Sequence, residues 1–176
     1  MSARTQTLGG RRDNAPAFAW REFLRRRGAE LIGSLLVAAG VATLLALGSY
    51  RAADPSANLA ATGHVGNWLG QPGAVLADLL LQTLGLAAVL PAVFVLATGI
   101  RAIAHRPLHH LPWRSLGLFV ATLAAAAALA ALPVPSDWPL RSALGGVAGD
   151  IGGGALRTAA GLAGAGAADW LVPVVA

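Results

Sequence analysis

Three stretches without a charged residue, 31–50, 79–100 and 115–136, are each long enough to cross a bilayer. About 20 helical residues rising ~1.5 Å each span a hydrocarbon core of ~30 Å, and lipid tolerates only backbone whose polar groups are paired within the segment. The chain is therefore expected to be an all-α, polytopic transmembrane helix bundle. Its clear spans are placed at about residues 30–50, 78–100 and 115–133. A weak or truncated fourth is placed at 157–176, because nine glycines lie between Gly145 and Gly166 and Asp150 and Arg157 interrupt the run. The chain is expected to stop inside or just before that span. Residues 140–156 read either as outer loop or as an amphipathic or re-entrant segment.

Composition supports lipid as the solvent. The chain is 56% hydrophobic and 12% charged, against roughly 25% charged in soluble domains. The excess comes from Ala, Leu, Val and Gly, which let helices approach closely. Cysteine is absent, which excludes disulfides and thiolate metal sites. The first apolar run exceeds the 7–15 residues of a signal-peptide core and follows a long tail, so it is taken as a retained span.

The arginines set the orientation. Arg4, Arg11, Arg12, Arg21, Arg25, Arg26 and Arg27 lie in the tail, and Arg101, Arg106 and Arg114 flank the second loop. The first loop, 51–77, holds one arginine and one aspartate, and the third holds Asp137, Arg141 and Asp150. The positive-inside rule then makes the N-terminus and second loop cytoplasmic. Residues 1–28 form a basic cytoplasmic tail, expected to be disordered over 1–19, and residues 29–176 form the transmembrane domain.

Within the spans, Asp78, Gln82 and Gly85 share one helix face that lipid would penalise. Asp78 is placed at the outer N-terminal end of its span, as an interfacial cap favoured by the helix dipole. Pro91 is expected to kink the same span. Gly145, Gly149 and Gly153 have small-xxx-small spacing for close helix packing, and Trp68, Trp113 and Trp138 are expected as interfacial anchors.

Motifs for chemistry are missing. There is no phosphate-binding GxxxxGK[ST], no HExxH and no GxSxG. His105, His109 and His110 form a cluster broken by Pro107, and no acidic partner is expected nearby, which argues against a metal site.

The first outer loop carries the most specific pattern. Ser49-Tyr50, Asp54-Pro55-Ser56, Asn58, Asn67-Trp68-Leu69-Gly70, Pro72-Gly73-Ala74 and the run from Ala77-Asp78 through Gln82 resemble the N-terminal membrane domain of the FtsK/SpoIIIE family of DNA translocases. The resemblance continues through Gly85-Leu86-Ala87-Ala88 and Pro91, and returns at Leu144-Gly145-Gly146 and Gly149.

That resemblance implies a four-helix anchor in the bacterial inner membrane at the division septum, serving cell division and chromosome partition. It implies contacts with other divisome membrane proteins and a homo-oligomer, hexameric by analogy with the motor. ATP, Mg and DNA would be handled by a cytoplasmic ATPase motor that this chain lacks, so no cofactor, metal or catalytic residue is expected here. Partner or helix-packing candidates are Asp54, Pro55, Ser56, Trp68, Gly70, Asp78, Gln82, Pro91, Gly145, Gly146 and Gly149. The Asp54-Pro55-Ser56 string reads equally as a tight turn. The alternative function is a small multi-span transporter or channel subunit using Asp78.

Overall fold

The computed structural model describes residues 15–55, 65–136, 138, 140 and 142–171, with side chains described from residue 20 to residue 161 of these. All regular structure among them is helical: α1 (Ala15–Gly48), α2 (Gly70–Leu84), α3 (Val89–Ile103), α4 (Leu111–Leu129) and α5 (Gly146–Leu171). A short 3-10 turn, Gly85–Ala88, joins α2 to α3.

Apolar side chains face outward. Leu31, Leu35, Phe119 and Val120 are exposed, whereas the buried positions are chiefly alanines such as Ala46, Ala74, Ala77, Ala88 and Ala126. Water would penalise this inversion, but lipid does not, and small buried residues allow the close backbone approach that holds helices together without a hydrophobic driving force. Among the described residues, three stretches are long and apolar enough to cross a membrane: Trp20–Gly48, Gly70–Ile103 and Leu111–Leu129. Hydroxyls within them are satisfied locally, Ser34 donating to the Glu30 carbonyl, Thr43 to that of Ala39 and Thr122 to that of Leu118, each at 2.8 Å.

Helix α1 packs chiefly on α3, and α4 on α5. At the first interface the backbones nearly touch. A Cβ on Gly99 would lie 2.7 Å from the Gly33 carbonyl oxygen, and one on Gly40 would lie 2.7 Å from Leu96 Cβ.

Several boundaries differ from the hydropathy reading. Helix α1 begins at Ala15, so residues 15–19, expected to be disordered, are helical; Pro16 in the first turn removes an N–H that has no intrahelical partner. The second helical stretch begins at Gly70 rather than 78. Its break lies at Gly85, not at Pro91. Gly85 has φ 59° and ψ −142°, which ends α2, and Pro91 falls in the first turn of α3, where proline is tolerated. Helix α5 starts at Gly146, eleven residues before the expected fourth span, so residues 146–156 are helix rather than loop. Tertiary contact with α4 offsets the poor helix propensity of the glycines there.

Candidate functional site

The end of α1, the first loop and α2 form a polar cluster at the face opposite the arginine-rich tail. Its components are buried: Asn67 is 4% exposed and Asp54 and Asp78 are 5% exposed. Ser49 donates to the Leu45 carbonyl at 2.7 Å and accepts the backbone N–H of Trp68 at 3.1 Å. Asn67 Nδ2 donates to the Ala46 carbonyl at 2.9 Å, while its Oδ1 accepts the Leu69 N–H at 3.0 Å. One amide thus fastens the returning loop to α1 and organises the start of α2. Gly73 must lack a side chain, because a Cβ there would run into Asn67 Oδ1.

Asp54 and Asp78 act inward. Asp54 Oδ1 accepts the Gly66 N–H at 2.8 Å, bridging the two sides of the first loop; its Oδ2 is buried without a hydrogen-bond partner among the described residues. A turn spans Arg51 to Asp54, closed by the Asp54 N–H on the Arg51 carbonyl. Ser56 lies outside the described residues.

Asp78 sits in the third turn of α2, where Oδ1 accepts the Tyr50 hydroxyl at 3.0 Å. The expected interfacial cap is therefore corrected: α2 begins two turns earlier, and a carboxylate this far along has no free helix-terminal N–H to satisfy. Burial, and then the Asp78 hydrogen bond, push the Tyr50 hydroxyl up to about 12. It stays a neutral donor throughout the physiological range.

On the same helix Gln82 is half-buried, and Gly85, which ends it, is buried. Gly85 meets the start of α5. The Leu86 N–H donates to the Leu144 carbonyl at 2.9 Å, and a Cβ on Gly85 would collide with that carbonyl. Gly146 also has positive φ, 65°, and a Cβ there would lie 2.5 Å from Gly85 N. Gly145 and Gly149 both press on the Ala126 carbonyl of α4, leaving no room for a side chain, whereas Gly153 has ordinary clearance. Gly85, Gly145, Gly146 and Gly149 thus converge on one joint where α2, α4 and α5 meet.

Trp68 is 74% exposed and Trp113 72%, which suits interfacial anchors. Trp138 is instead half-buried, its indole N–H donating to the Ser142 carbonyl at 2.9 Å. Gly70 opens α2 with φ 68° in otherwise empty space.

At the arginine-rich end, Glu22 binds Arg25 and Arg26, and Glu30 binds Arg27. His105 Nε2 lies 3.2 Å from Glu30 Oε1. This corrects the expectation that no acidic group approaches the histidines: the partner comes from α1, 75 residues away. Sequence reasoning also missed Tyr50 and Asn67 as network members. For Asn67, a polar amide immediately before a turn and a helix start was the available signal.

A family profile described as the 4TM region of DNA translocase FtsK/SpoIIIE matches residues 25–176. The chain is 34% identical over 134 residues to the DNA translocase FtsK of Agrobacterium fabrum, covering 76% of this chain and 15% of that protein. It is 40% identical over 132 residues to that of Mesorhizobium japonicum, covering 73% and 14%. With that of Azospirillum brasilense it shares 37% identity over 154 residues, covering 85% and 24%. No solved structure matches. The inverted burial, the helical bundle and these similarities together show that the chain belongs to the FtsK/SpoIIIE DNA translocase family and corresponds to its membrane region.

Proposed function

We propose that this chain moors a septal DNA translocase in the bacterial inner membrane and presents its outer loop to other divisome membrane proteins. The observation that carries the reading is the family match over residues 25–176 combined with a bundle whose buried polar groups knit its own elements together. A motor pulling a long polymer must be held against the reaction force, and several packed helices resist extraction better than one lipid anchor. Trp68, projecting beside a loop fixed by Asn67 and Asp54, is the exposed aromatic on which a partner helix or loop would register.

ATP, Mg and DNA are assigned to a motor elsewhere in the longer translocase. The sequence offers no GxxxxGK[ST] phosphate cradle. Homo-oligomerisation, as a hexamer, follows from the same reading. Transport through Asp78 is less well supported, because its carboxylate is engaged by Tyr50 at the end of α1.

The test replaces residues 54–78 in the full-length translocase by a scrambled sequence, leaving the motor intact, and follows a fluorescent fusion. Loss of septal focus with the protein still in the membrane is expected. Normal septal localisation would refute the docking role, and loss of solute flux in Asp78→Asn vesicles would favour transport.

A further inference from the structure

A cleft of about 460 Å³ opens at the arginine-rich end of the α1–α3 seam. Its origin is geometric. Gly33 and Gly99 hold the two helices in backbone contact, and one turn further on Ala29 and Ala102 line the cleft floor where the helices part. The loop after α3 forms the opposite wall, fixed by His105 on Glu30 and by Arg101 Nη2 donating to the Pro107 carbonyl at 3.3 Å.

The walls are basic. Arg25, Arg26 and Arg106 line the cleft against a single carboxylate, Glu22. Glu22 engages Arg25 through Nε and Nη2 but Arg26 only through Nε, and among the described residues neither terminal nitrogen of Arg26 has a partner. Arg106 is exposed and has no ion pair among the described residues. Two guanidinium groups from opposite walls therefore face one space with donors to spare, the arrangement that suits a phosphate. The level of the cleft identifies the source of that phosphate. Trp20 and Phe23 stack at 5.5 Å just beside it on α1 and are 62% and 48% exposed, which marks the membrane interface, where lipid phosphates lie.

We propose that this cleft binds the phosphodiester headgroup of one anionic phospholipid, with Arg26 and Arg106 as its principal ligands. The bound lipid fastens α1 to the loop after α3, adding a specific contact to the diffuse attraction of a basic tail for an anionic surface.

Native mass spectrometry of the full chain in detergent tests this with short-chain phosphatidylglycerol, the matched phosphatidylcholine and inorganic phosphate as separate probes. One phosphatidylglycerol per chain is expected to be retained in preference to phosphatidylcholine. Arg106→Gln should weaken retention about tenfold, whereas Arg114→Gln, which removes the same charge outside the cleft, should leave it unchanged. Glu22→Gln frees Arg25 and Arg26 and should strengthen it by up to about fivefold, a gain that misfolding would not produce. Equal losses in the Arg106 and Arg114 variants would overturn the site in favour of diffuse charge. Capture of inorganic phosphate without preference for the lipid would overturn the lipid assignment.

Discussion

The hydroxyl of Tyr50 lies 3.0 Å from Oδ1 of Asp78, across 28 residues of sequence, and ties the end of α1 to the third turn of α2. Because Asp78 is 5% exposed, its carboxylate depends on protein donors rather than water. Tyr50→Phe should therefore destabilise the bundle by about 1–3 kcal/mol, while Asp78→Asn keeps an acceptor for Tyr50 and should cost less. Thermal unfolding in detergent, followed by circular dichroism, measures both. A Tyr50→Phe protein that melts with the parent would show the bond to be dispensable.

Tyr50 is the sole tyrosine of the chain, so its ionisation has an unobstructed optical signal. Burial and Asp78 raise its pKa to about 12, above the ordinary value of 10.0. With the folded value raised, the stabilisation is fully present below pH ~10 and is lost as pH rises through ~12. Ultraviolet titration should show the phenolate band emerging near pH 12 in the folded protein. Emergence near 10 would place Tyr50 in water.

The joint of α2, α4 and α5 should be intolerant of side chains. Gly85→Ala forces a Cβ into the Leu144 carbonyl at positive φ, and Gly145→Ala forces one into the Ala126 carbonyl. Each is expected to cost at least about 1–3 kcal/mol, the cost of backbone strain or of a displaced helix. Gly154→Ala on α5, where a Cβ meets nothing within 4 Å, should be neutral or slightly stabilising. Melting temperatures of the three variants separate these cases, and a Gly145→Ala protein as stable as Gly154→Ala would contradict the α4–α5 contact.

Asn67 carries two bonds that no other side chain reproduces. Asn67→Ala strands the Ala46 carbonyl and the Leu69 N–H, with an expected cost of about 1–3 kcal/mol. Asn67→Asp should also destabilise, since a carboxylate would face the Ala46 carbonyl in place of a donor. Limited proteolysis within the first loop provides the readout, with faster cleavage expected in both variants. Unchanged cleavage would mean that the loop is held by other contacts.

How much of this was legible beforehand depends on the range of the interaction. The three apolar runs announced themselves, because a membrane span is a local property of length and hydropathy. Gly145 and Gly149 were also visible as a packing pair, since their spacing is fixed by the helix. The break at Gly85 was not: Pro91 is the stronger breaker by propensity, and only the Leu144 carbonyl lying against Gly85 reveals why the chain turns earlier. Glycine disfavours helix, so the sequence alone places the last span's start near 157, whereas the compensation that lets α5 begin at Gly146 comes from Ala126, on another helix. The pairs Tyr50–Asp78 and Glu30–His105 join distant positions and have no periodic signature. Asp54 looked like a displayed loop residue, yet a carboxylate beside a turn can equally serve the loop's own N–H groups, as it does here for Gly66.

The absence of native cysteine allows membrane threading to be measured with single introduced thiols. In intact cells, a membrane-impermeant maleimide should label Ala53→Cys in the loop after α1 and should reach His109→Cys, before α4, only after the membrane is permeabilised. Labelling of both positions in intact cells, or of His109→Cys alone, would contradict a bundle that threads the bilayer with its arginine-rich face in the cytoplasm.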